Sequence, residues 1–247
     1  MAGSLNVPDA EHMPRWGRSL GVGSLCLLVA LIAARSTSSW IATRFPDRPT
    51  PPDLMFEILP HSPKAGYIAD LALVAALALL IVYAFRGNQR EIPVMMALIG
   101  IMEFSRALLN VLTPLGRPLK PGEYYGIGTE LEHVFMNVFG PFEGSLPGNA
   151  LHGITVSQGM MHVTQHGEFP SGHMAFVFLC MLLVDKKKAP RIRAAMVVLV
   201  VAECVALLVS HQHYAIDVVG GFLLSYFIYY EYTEGTWFDW LKPLITV

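Results

Sequence analysis

The chain of 247 residues is 53% hydrophobic and 15% charged, with a mean hydropathy of +0.47, proportions that fit a polytopic membrane protein better than a soluble domain. A formal net charge of -2 supplies no basic field for nucleic acid, and neither zinc-ligand spacing nor a phosphate-cradling glycine loop is present. The three cysteines, Cys26, Cys180 and Cys204, lie inside apolar runs, where a thiol behaves as a small hydrophobe and carries no information on redox compartment.

In chain order, residues 1–17 are polar and are expected to be a disordered N-terminus. Arg15 and Arg18 stand before the first apolar run, 20–34, which can extend toward Ile41. A cleaved signal peptide is disfavoured, because no small-residue cleavage site followed by a soluble domain is visible. The stretch FPDRPTPPDLMFEILPHSP comes next; its prolines argue against a regular helix, and Asp53 and Glu57 within it read as solvated loop charges. The second and third spans, 67–85 and 93–112, are each near the ~20 residues that cross a bilayer. Glu103 and Arg106 sit one turn apart in the third, where charge is costly enough to imply a mutual pair or a function.

A long loop, 113–166, is rich in Gly, Pro and aromatic residues and reads as a lid or binding loop. Its Tyr124, Tyr125, Phe135, Phe139 and Phe142 have the chemistry of a cage for a quaternary ammonium group, although aromatics at a membrane interface are commonplace. The irregular spacing of His133, His152, His162, His166 and His211 lacks metal-ligand geometry. The fourth span, 169–184, is short, which would set His173 below the membrane surface. The fifth covers 194–209 and the sixth 213–230, joined by a tight SHQ turn. The expected fold is therefore an all-α polytopic membrane protein with six transmembrane helices. One catalytic unit covers 18–232, and 233–247 form a cytoplasmic tail.

Orientation follows from the positive-inside rule. Arg15, Arg18, Arg86, Arg90, Lys186, Lys187, Lys188, Arg191, Arg193 and Lys242 fall on the side of the termini; Arg44, Arg48, Lys64, Arg117 and Lys120 fall on the other. Both termini are thus expected in the cytoplasm. His173, His213 and Asp217 are then expected to share the exoplasmic side.

Two segments concentrate the chemistry: HGEFPSGH, ending at His173, and SHQHYAIDVVGG, with His213 and Asp217. On a helix the four-residue spacing of His213 and Asp217 puts the carboxylate within reach of the imidazole. An imidazole so oriented is suited to nucleophilic attack or proton transfer, and a second histidine can serve the leaving group.

FPSGH followed by HYAID resembles the second and third signatures of the type 2 phosphatidic acid phosphatase superfamily, whose members cleave or transfer phosphate esters of lipids. Within it, PTPPDLMFE, RALLNVLTPLG, HGEFPSGHM and HYAIDV are similar to four segments of the sphingomyelin synthase branch. Leu207 stands where phosphatases of the superfamily carry an arginine, and Val111 where they carry a lysine before the Arg117 and Pro118 pair. Glu168, Met174 and Pro170 depart from the synthase pattern. The resemblance implies that His213 attacks phosphorus, oriented by Asp217. His173 would then protonate the departing alkoxide and later deprotonate the acceptor. Arg106, Glu168, Ser171 and Gly172 are the expected substrate-binding residues, with the helix starting near Ser171 directing its dipole at the phosphate. No cofactor or metal is expected. The expected partners are a phospholipid donor and a lipid alcohol acceptor such as ceramide. A lipid phosphate phosphatase or phospholipase C-like hydrolase using the same residues is the alternative. A transporter, the reading from another class, would be expected to show repeats that this sequence lacks.

Overall fold

The computed structural model describes residues 13–45, 49–116 and 169–246, and over them the protein is all-helical. The elements are α1 (Met13–Arg44), α2 (Leu54–Ile58), α3 (Ala65–Phe85), a 3-10 turn (Gln89–Glu91), α4 (Ile92–Leu112), α5 (Gly172–Leu183), α6 (Pro190–Val209), α7 (Ala215–Thr233) and α8 (Lys242–Ile245).

Among these residues four stretches are long and apolar enough to cross a membrane: Arg15–Ser38, Ala65–Phe85, Gln89–Leu112 and Pro190–Val209. These four make this an integral membrane protein. Gly172–Leu183 is apolar but shorter. Of the six spans expected, the fourth, α5, is the shorter one. The sixth, α7, has spanning length, but Asp217, Glu231 and its four tyrosines dilute its apolar character.

Three boundaries differ from expectation. α1 starts at Met13, within the segment expected to be disordered. A turn of helix, α2, fits between Pro52 and Pro60 because the Asp53 carboxylate accepts from the Met55 N–H at 2.9 Å and caps it. The tail folds back as α8, where Leu241 and Ile245 bury themselves beside Ala97 of α4.

Side-chain size decides how α3 packs. Ala65, Ala69, Ala72 and Ala76 recur at helical spacing and are buried, whereas Leu71, Val74 and Ile81 point outward and are exposed. Small residues let helices approach closely and large apolar ones suit lipid, so the helix is apolar all round yet has a defined inner face.

α5 occupies the centre, touching α3, α4, α6 and α7. Met174, Ala175, Val177, Leu179 and Cys180 on it are fully buried. Its far end is closed by Arg193 of α6, whose guanidinium donates to the carbonyl oxygens of Met181 and Val184, the latter at 3.2 Å. α1 packs mainly on α4 and α8. There the backbones nearly touch: a Cβ on Gly100 would lie 2.7 Å from the carbonyl carbon of Cys26, and one on Gly23 would lie 2.6 Å from the Pro93 oxygen.

This contact generates a paired prediction. Gly100→Ala should lower the melting temperature of the purified protein, with overpacking costing about 1–3 kcal/mol. Gly21→Ala, where an added Cβ meets nothing within 4 Å, should leave it unchanged or raised. Equal effects in the two variants would mean that α1 and α4 are not in backbone contact.

Candidate active site

The two chemistry-bearing segments become neighbours through their backbones. Ser171 caps α5, its hydroxyl accepting from Met174 N–H at 3.3 Å, while its own N–H donates to the Asp217 carbonyl oxygen at 3.0 Å. Only glycine fits opposite. A Cβ on Gly220 would come within 2.8 Å of the Phe169 ring, and one on Gly221 within 2.8 Å of the Ser171 oxygen. Ser225 Oγ adds a bond to the Ala175 carbonyl oxygen at 2.6 Å. The starts of α5 and α7 are thereby locked side by side.

This lock brings His173 and His213 together, with ring centroids 6.3 Å apart and planes inclined at 58°. His213 lies outside the helix expected to hold it, one residue before the N-cap Tyr214. Asp217 reaches it from the first turn, with Oδ2 3.6 Å from His213 Nδ1, slightly longer than a hydrogen bond. The same oxygen accepts from the Tyr214 N–H at 3.0 Å. A capping turn, and not one face of a continuous helix, therefore sets this spacing. Asp217 is fully buried, and its Oδ1 has no hydrogen-bond partner among the described residues.

His173 has a carboxylate of its own that the sequence reading missed. Asp70 of α3 places Oδ1 3.0 Å from His173 Nε2, and both side chains are largely enclosed. Asp70 is the only charged residue in α3. That isolation in a span was the signal available, since a carboxylate among leucines and alanines needs a partner. Behind it lies Glu203 of α6, fully buried, an electrostatic neighbour of Asp70 whose oxygens have no hydrogen-bond partner among the described residues.

Arg106 forms the ion pair expected of it within its span. It pairs with Glu103, at 2.9 Å through Nη2 and 3.0 Å through Nε. The guanidinium also lies against Gly172, where a Cβ would sit 3.1 Å from Arg106 Cζ. Gly172 thus gives the cation access to the start of α5 beside His173. Glu168 lies outside the described residues, as do the 117–166 part of the loop, its aromatic residues, Arg117, Pro118 and its four histidines.

The Pro-rich segment folds over the same end. Asp53, expected to be a solvated charge, accepts at Oδ2 from the Ala215 N–H at 2.5 Å and so caps α7 as well as α2. Glu57 is exposed. Phe56 stacks on His211 at 4.3 Å and on Tyr214 at 5.6 Å, and His61 stacks on the His211 ring at 4.6 Å. Ser62 N–H donates to the Val209 oxygen at 2.9 Å. His211 adopts φ 55°, a left-handed conformation that histidine tolerates better than most residues. Among the described residues no group of three or more His, Cys, Asp or Glu side chains is arranged to hold a metal ion.

Burial pushes the His211 imidazole below its ordinary range, and the charge of His61 adds to this, against a backbone bond with Leu59 and the charge of Asp53. The folded protein then binds this proton less readily than the unfolded chain. Its contribution is complete above the ordinary value of 6.5 and is lost as pH falls through the depressed one. Melting temperature should fall on acidification, and His211→Asn, which suits φ 55° but does not titrate, should flatten that fall. An equally steep profile in the variant would remove His211 from this role.

Comparison with known proteins bears on the same segments. No curated protein matches the chain. Residues 169–234 match the family described as PAP2 superfamily C-terminal, PAP2_C, a stretch that contains His173, His213 and Asp217. Enzymes of that superfamily act on lipid phosphates, so the match implies a membrane lipid phosphatase- or phosphotransferase-type activity. A PAP2 superfamily C-terminal domain is thus present at the end of the chain where the two histidines meet.

Proposed function

We propose that the protein is a membrane phosphotransferase that moves a phospho-headgroup, phosphocholine or phosphoethanolamine, from a glycerophospholipid to a lipid alcohol such as ceramide. The observation that carries this reading is the facing pair of histidines, each beside its own carboxylate. His213 Nδ1 faces Asp217, leaving Nε2 as nucleophile. Attack at phosphorus forms an N–P bond and breaks the P–O bond to diacylglycerol, whose oxygen takes a proton from His173. The acceptor hydroxyl then returns a proton to His173 as it displaces His213, restoring both imidazoles. Arg106 and the N–H groups at the start of α5 neutralise the phosphate. Asp70, bonded to His173 Nε2, orients the ring and keeps Nδ1 for the substrate oxygen. In the expected orientation all of this takes place on the exoplasmic side.

Transfer is favoured over hydrolysis by Leu207, fully buried in the core where a phosphatase of the superfamily would carry an arginine. Partial exposure of the His173 side chain, 27%, favours the second reading to a lesser degree, since water can then compete as acceptor.

His213→Ala and Asp217→Ala should abolish turnover while the protein stays folded by its melting curve. His173→Ala and Asp70→Asn should slow turnover by about 10²–10⁴-fold, and a donor with a good leaving group should restore both in part, because it needs less protonation. No such rescue is expected for His213→Ala. Wild-type rates in the His213 variant would end the assignment, and a uniform response of Asp70→Asn to all donors would make Asp70 purely structural.

With labelled phosphatidylcholine as donor, diacylglycerol should form in every case, and added ceramide should divert phosphocholine from free release into sphingomyelin. Proximity within the bilayer gives the lipid acceptor its advantage over water. Phosphocholine release that ignores ceramide and other lipid alcohols would identify a hydrolase.

A further inference from the structure

At the opposite end of α5 from the histidines lies a cavity of about 860 Å³, within the size range of small-molecule sites. α5 is 12 residues long, which separates the two sites by roughly 18 Å. Three elements deliver cations to it. Arg90 comes from the 3-10 turn, Lys186 and Lys187 from the connection after α5, and Arg193 from the first turn of α6. Val94, Met95, Leu182 and Leu183 form an apolar wall, and Tyr229, Tyr232 and Thr233 of α7 add hydroxyl groups.

Three carboxylates also line the cavity, Glu91, Asp185 and Glu234. Two of them are already engaged. Glu91 binds the Lys188 ammonium at 2.5 Å and accepts from the Tyr83 hydroxyl at 3.0 Å, and this contact holds Lys188 above its ordinary range. Asp185 accepts from the Lys187 N–H at 2.7 Å, a bond that keeps its carboxyl below the usual range. With Glu91 and Lys188 cancelling, Arg90, Lys186, Lys187 and Arg193 outnumber Asp185 and Glu234. Arg90, Lys186 and Lys187 are exposed side chains, and Arg193 is fixed in place by the α5 carbonyl oxygens.

A cationic rim over an apolar wall at a membrane face suits an amphiphile with an anionic head. We propose that this cavity is a second lipid-phosphate site, which binds the phosphate of an anionic lipid from the leaflet opposite the histidines. The cation arrangement recognises phosphate, and the wall beneath it accommodates the start of an acyl chain. The site is independent of turnover at His213.

The test uses the full chain in detergent. Phosphatidylglycerol and phosphatidylcholine are titrated in turn by native mass spectrometry, with inorganic phosphate as a separate arm. The triple variant Arg90→Gln, Lys186→Gln, Lys187→Gln is compared with wild type, so occupancy of the histidine site cancels between them. All three changes fall on exposed residues, and retained lipid turnover verifies the fold. Wild type should prefer phosphatidylglycerol, and the variant should bind it about tenfold more weakly with phosphatidylcholine unaffected. A loss confined to inorganic phosphate would assign the cavity to free phosphate and overturn the lipid as occupant. Equal phosphatidylglycerol binding by variant and wild type would overturn the site altogether.

Discussion

A helix of 12 residues is about 18 Å long and cannot by itself cross a hydrocarbon layer of ~30 Å, so at least one end of α5 lies where lipid offers no hydrogen bonds. Protein must supply them. At one end Ser171 provides a cap and the Asp217 carbonyl receives the Ser171 N–H; at the other, Arg193 covers the last carbonyl oxygens. Each solution gathers polar groups in a place that would otherwise be apolar. The first is the setting for two histidines, and the second gives a floor of fixed positive charge.

The two imidazoles are not equivalent in how their carboxylates meet them. Asp70 meets His173 at hydrogen-bond distance, whereas Asp217 stands slightly farther from His213 and shares its oxygen with the Tyr214 N–H. A direct carboxylate contact fixes the orientation of the ring and commits one of its nitrogens, whereas a shared one holds the ring more loosely.

His173, His213, Asp217 and the Glu103–Arg106 pair were legible in the sequence because their partners are local or their motifs short. Asp70 was not, since its partner lies 103 residues away and nothing linear says which side of α3 faces α5. The register of Ala65, Ala69, Ala72 and Ala76 marks the inner face of α3, but Asp70 stands about 100° round the helix from Ala69, so the alanines alone do not aim it. Asp53 was misjudged for a related reason: a carboxylate among prolines looks solvated until a distant helix start needs a cap. α7 forms where a sixth span is expected, but tyrosines and acids are mixed into its run of spanning length.

The placement of α1 bears on how the protein is made. Its main contacts are with α4 and α8, which emerge from the ribosome later. Until then it stands in the bilayer without those neighbours, and its own side chains must hold it there. Leu25, Leu28, Val29, Leu31 and Ile32 remain exposed even in the finished fold, which is the composition of a helix stable in lipid before its neighbours arrive. Gly23 and Gly100 then let α4 approach it to backbone contact.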